Sequence, residues 1–172
     1  MIEKFDRALG RASIGLAYVA CFIVTTIFVM IVVDVSVRTI GITPPGLTLT
    51  YVEYSLLYFA MFSAPWLVRE RGHVAIEAVV IYLPRSAQVF LAKLVYLLCV
   101  TVSAMFCYYS IILLSEALAS MEDDIRGVAV PLWMMFAPMP LAFIMVALEF
   151  LMYLFGVRSY YMYDLTEVRD GI

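Results

Sequence analysis

Residue types that carry covalent chemistry are few in this sequence, and their spacing suits none of the familiar reactions. One histidine, His73, is too few for a haem held by two imidazoles. Cys21, Cys99 and Cys107 lie inside apolar stretches and form no C-x-x-C pair, so a zinc site and thiol redox chemistry both lack their ligands. No nucleophile elbow, H-E-x-x-H helix, phosphate loop or dinucleotide fingerprint occurs. No catalytic, cofactor-binding or metal-ligating residue is therefore expected, and no enzyme activity. What remains is a set of ionisable groups at the margins of long apolar runs, including Arg38, Glu53, Arg69, Lys93 and Glu149. Charges in such places pair with one another, anchor to lipid phosphates or carry a coupling proton.

Two of these positions leave alternatives open. Glu53 is the single carboxylate of its apolar run, about 10 Å from one end by helical rise. It serves either as a structural acid paired with Arg38, which closes the preceding run, or as the proton-binding carboxylate of a small exporter. Lys93 and Glu149 lie about 12–13 Å in from one surface on neighbouring runs. They form either an ion pair that fixes two helices in rotation, or separate contacts: Lys93 to lipid phosphate and Glu149 to a partner subunit. Pro138-x-Pro140 removes two backbone donors and reads as a packing kink.

The elements that hold these groups follow from composition. The chain has 172 residues, 65% hydrophobic and 15% charged, with mean hydropathy +1.00. Soluble domains are about 45–50% apolar and about 25% charged. A chain this small cannot hide such an excess of apolar surface, so the bilayer is its solvent. A net charge of −3 without a basic run excludes nucleic acid as a partner. Four apolar runs, 12–33, 46–68, 86–115 and 128–156, each meet the length of a spanning helix. The first is longer than a signal-peptide core and is followed by Asp34 and Arg38 rather than a cleavage site, so it reads as an uncleaved helix. Residues 74–83 are too short to span and too apolar for a solvated loop; they fit an in-plane amphipathic helix, stopped by Pro84. The expected fold is an all-α integral membrane protein, residues 1–172 forming one membrane domain of four spans and this in-plane helix. Nine Lys and Arg flank one set of ends and only Arg38 and Arg126 the other, which predicts cytoplasmic termini and a cytoplasmic Arg69–Arg85 loop. Arg69, Arg71 and Arg85 are expected near lipid phosphates there.

The same residues carry a family resemblance. Asp34-Val35-Ser36-Val37-Arg38, a Gly/Pro loop and Tyr51-Val52-Glu53-Tyr54 resemble an Arg after helix one and a Glu opening helix two. Arg69-Glu70-Arg71-Gly72-His73-Val74-Ala75-Ile76-Glu77, followed by Leu83-Pro84, resembles an R-x-G-H-I-x-v-D…lP stretch, with Glu77 where the family usually has Asp. Both are similar to the small membrane subunit, the DctQ type, of tripartite ATP-independent periplasmic (TRAP) transporters, and the likeness runs over nearly the whole chain. It implies a multi-pass protein of the bacterial cytoplasmic (inner) membrane. It also implies two protein partners: a large elevator-type membrane subunit and a periplasmic solute-binding protein that delivers an organic anion, a dicarboxylate or sugar acid, for sodium-coupled uptake. This chain would then be the scaffold subunit, in contact with membrane lipids, with Arg71, Gly72, His73 and Glu77 among its interaction residues. The competing reading, a self-sufficient proton-coupled exporter using Glu53, leaves residues 74–83 without a role.

Overall fold

The structure, a computed structural model, describes residues 2–41, 47–70, 85–125 and 128–156. The in-plane segment 74–83 lies outside them, as do Arg71, Gly72, His73, Glu77 and the Arg85 side chain. Helix α1 spans Ile2–Thr39, α2 Leu47–Arg69 and α3 Arg85–Ser120; strands β1 (Asp123–Ile125) and β2 (Ala129–Pro131) precede a short α4 (Trp133–Phe136) and α5 (Pro138–Leu154). Among the described residues, Lys4–Thr39, Ser86–Ser120 and Trp133–Leu154 are long and apolar enough to cross a bilayer. The chain is thus an all-α membrane protein with one small hairpin. α2 has 23 residues but is less apolar, because Tyr51, Glu53, Tyr54 and Tyr58 occupy its first half.

Three boundaries differ from the sequence expectation. α1 begins ten residues early, since Lys4, Arg7, Ala8, Leu9 and Arg11 are good helix formers that continue the run into the polar zone. α3 continues through Glu116–Ser120 for the same reason, then stops at Met121, which takes the left-handed conformation (φ 54°) and turns the chain into the hairpin. There Asp124 faces Val130 in an antiparallel register. The run 128–156 is not one helix. Pro138 and Pro140 cannot donate to the preceding turn, so α4 ends before Ala137, and α5 starts with Pro in its first turn, where the missing amide is tolerated.

The helices form a row in the order α1, α2, α5, α3, with only light contact between α1 and α5. Tyr51 meets Thr26 and Arg69 meets Asp6, so α1 and α2 are antiparallel. Tyr58 meets Met134 and Arg69 meets Glu149, so α2 and α5 are parallel. The edge helices are held by narrow stripes. On α1 the buried residues Ser13, Ala20 and Ile27 recur every seventh position; on α3 so do Tyr96, Ser103, Ser110 and Ala117. A strict seven-residue stripe is a single seam, and its small residues bring backbones close where lipid offers no hydrophobic drive. The densest packing joins Val68, Ala92, Tyr96 and Tyr153, where Tyr96 and Tyr153 stack at 5.7 Å. Most other large apolar side chains, such as Phe22, Phe28 and Phe90, are exposed, as hydrocarbon solvent permits.

Candidate functional site

The end of the row where α1 begins and α2 ends holds a buried charge cluster. Glu149 on α5 is wholly inaccessible. Its Oε1 accepts a hydrogen bond from Ser13 Oγ at 2.7 Å, and Ser13 is equally inaccessible. Arg69, the last residue of α2, donates from Nη1 to Oε1 at 3.2 Å and to Oε2 at 3.5 Å. The same guanidinium reaches α1: Nη1 and Nη2 each lie 3.5 Å from the Asp6 carbonyl oxygen, and Nη2 is 3.7 Å from Asp6 Oδ2. Gly10 makes this possible. A Cβ there would overlap the guanidinium, so glycine lets the arginine lie flat against α1 and a larger residue would push its tip aside. Tyr153, one turn beyond Glu149, donates to the Arg69 carbonyl at 3.0 Å and lies 3.3 Å from that of Val68. Those are carbonyls that the end of a helix leaves without an internal amide.

This clasp joins three helices through one carboxylate. A buried ion pair adds little net stability over an apolar substitute, but removing one partner strands the other charge and costs about 3–5 kcal/mol. The pairing therefore specifies which helix faces meet.

The expected Lys93–Glu149 pair is not formed. Depth was matched but rotation was not: Ala92 occupies the buried seam, and Lys93, about 100° further round α3, is exposed. Glu149 faces away, toward α1 and α2, where Arg69 takes it. Arg69 is correspondingly withdrawn from the expected lipid-phosphate position; its side chain is 18% exposed.

The other end of the row is held through tyrosine hydroxyls. Tyr51 Oη donates to Thr26 Oγ1 at 2.8 Å, and Tyr54 Oη lies 3.2 Å from Asp124 Oδ2 on β1. Tyr58 Oη donates to the Met134 carbonyl at 2.7 Å. In an unbroken helix that carbonyl would accept from residue 138, which is Pro138; the tyrosine supplies the missing donor. Beside these contacts Leu47, Thr50, Tyr51, Tyr54, Val128, Val130 and Met134 line an apolar groove of about 250 Å³. The expected Arg38–Glu53 pair is replaced here. Arg38 Nε sits 2.7 Å from Asp34 Oδ2, one turn back on its own helix, and Glu53 is exposed on α2. An i,i+4 partner on the same helix outcompetes one across a loop because it needs no further ordering.

Sequence reading singled out Arg69 and Glu149 but missed their company. Asp6 and Gly10 precede the first apolar run, Ser13 lies inside it and Tyr153 lies inside the fourth, and none of the four was singled out. The available signal was the i,i+4 spacing of Glu149 and Tyr153, which puts both on one face of α5. Among the described residues, no three His, Cys, Asp or Glu side chains come together as metal ligands.

The chain matches the family model described as tripartite ATP-independent periplasmic transporters, DctQ component, over residues 27–158. No curated protein and no solved structure matches it. The matched stretch holds Arg69, Glu149 and Tyr153 of the clasp and leaves out Asp6, Gly10 and Ser13.

Proposed function

This chain belongs to the DctQ family, the small membrane component of TRAP transporters, and from that premise we propose that it is a scaffold subunit with no substrate path of its own. The observation that carries this reading is the fate of the buried charge. Glu149, a wholly buried carboxylate in the membrane-spanning α5, is engaged by Arg69 and Ser13 rather than facing a cavity. Intramembrane carboxylates that bind a coupling ion or substrate face a water-filled path or a helix break. Here the carboxylate fastens helices. The break at Pro138 is likewise filled by Tyr58.

In the full reading, α2 is a fourth span beside the three strongly apolar helices. The clasp end, with both termini, faces the cytoplasm of a bacterial inner-membrane protein, and residues 74–83 form an in-plane helix against the headgroups. A large membrane subunit moves the organic anion with sodium after a periplasmic binding protein delivers it, and this chain braces that subunit. The whole chain forms one membrane domain. The exporter reading gains no support from Glu53, which does not line the groove at the hairpin end.

Reconstitution tests the proposal. Proteoliposomes holding the large subunit, supplied with binding protein and substrate, are expected to take up substrate only when this chain is present. Full uptake in its absence, or proton-driven efflux by this chain alone that Glu53→Gln abolishes, would overturn it.

A further inference from the structure

α1 and α3 stand at the two edges of the row, and each carries exposed tyrosine inside its apolar run. On α3, Tyr108 and Tyr109 are 63% and 55% exposed, their rings in edge contact at 5.5 Å. On α1, Tyr18 is 74% exposed. None of the three hydroxyls finds a hydrogen-bond partner among the described residues. In hydrocarbon an unpartnered hydroxyl is costly, because no water reaches it.

Depth alone does not separate the two edges. The charge-free stretch of α3 runs between Lys93 and Glu116, and Tyr108 and Tyr109 lie about 5–7 Å from its midpoint by helical rise. The stretch of α1 between Arg11 and Asp34 puts Tyr18 about 7 Å from its own midpoint. Direction does separate them. Side chains on a helix lean toward its N-terminus. Tyr18 therefore leans toward Arg11 and the nearer surface, where headgroups satisfy it. Tyr108 and Tyr109 lie past the midpoint and lean back toward it, away from the nearer surface. Lipid offers them nothing at that depth; a protein surface does.

We infer that the α3 edge, centred on Tyr108 and Tyr109 with Met105 one turn and Leu98 about three turns back, is the face that docks the large membrane subunit. The partner surface presents hydrogen-bond acceptors slightly off the midplane: carbonyls at a helix break, or Ser, Thr, Asn or Gln side chains. The inference rests on the scaffold reading and assigns it a face.

The test uses both membrane subunits co-expressed, with photoreactive benzoylphenylalanine placed at position 108, 109 or 18 of this chain. Position 108 or 109 is expected to yield an adduct with the large subunit, and position 18 none. The double variant Tyr108→Phe, Tyr109→Phe should retain about tenfold less large subunit on co-purification, while Tyr18→Phe retains the wild-type amount. Wild-type co-purification without α3 adducts, adducts from position 18 instead, or adducts only to lipid or to a second copy of this chain would each overturn the docking face and leave the scaffold reading standing. Absence of co-purification by the wild type would overturn both.

Discussion

At the Arg69 end of the row, three helices meet on one buried carboxylate; at the hairpin end, α2 meets α1, β1 and α4 through tyrosine hydroxyls. The first arrangement is intolerant. Glu149 has no water to fall back on, and each of its partners comes from a different helix. The second is forgiving, because a neutral hydroxyl or carbonyl left without its partner costs less than a stranded charge, and this end holds the chain's short hairpin. The contrast assigns specificity of pairing to one end and adaptability to the other. For an assembly subunit this is a workable division, with one end setting helix order and the other free to settle against neighbours.

Substitutions break or sharpen the contrast in a graded way. The largest effect is expected from Arg69→Ala, which leaves the Glu149 charge without its cation and should lower stability by about 3–5 kcal/mol. Thermal unfolding in detergent reads this out, and Arg69→Ala with Glu149→Met should recover much of the loss, because an apolar pair needs no compensation. Gly10→Val comes next. Its side chain would occupy the space of the guanidinium, and overpacking of this kind costs about 1–3 kcal/mol; a wild-type melt would show that the flexible arginine tip swings aside without loss and that the clasp does not depend on its lie against α1. Tyr58→Phe should cost about 1 kcal/mol, since it orphans the Met134 carbonyl beside the proline break. Faster amide exchange confined to 133–138 would mark the effect as local. Arg38→Ala should be smallest, about 0.5 kcal/mol, because the arginine is exposed and its pair with Asp34 lies within one helix. A loss of several kcal/mol there would show that the hairpin end also depends on charge.

Much of this was legible beforehand, for physical reasons that also mark the limits. Hydropathy announces an all-α membrane protein, because a bilayer admits few alternatives and each spanning helix must be long and apolar. It also placed Glu149 at an uncomfortable depth and so predicted that it must have a partner. It could not name the partner. Periodicity fixes depth along a helix well, but which face meets which neighbour depends on the order of helices in the row, and no local pattern encodes that order. Depth suggested Lys93 as one candidate and did not bring Arg69 into view; the rotation of α3 turns Lys93 away, and Arg69 takes the carboxylate. Gly10 and Ser13 show the same limit from the other side. Their meaning lies wholly in a guanidinium from another helix, so a small residue beside a charged tail gave no hint of it. Arg38 erred in the opposite direction, since a distant acid was preferred to Asp34 four residues away.

The bond between Ser13 and Glu149 spans 136 residues. Considered in time rather than space, that separation means the clasp closes late. At about 5–20 residues per second, roughly 7–27 s of synthesis separate the two groups. Once Arg69 has been made, 80 residues still separate it from Glu149, and until then the first two helices wait for the last. A nascent chain stopped between residues 69 and 149 holds its guanidinium with the α1 contacts alone, a feature that separates incomplete copies from finished ones at the moment α5 enters the membrane.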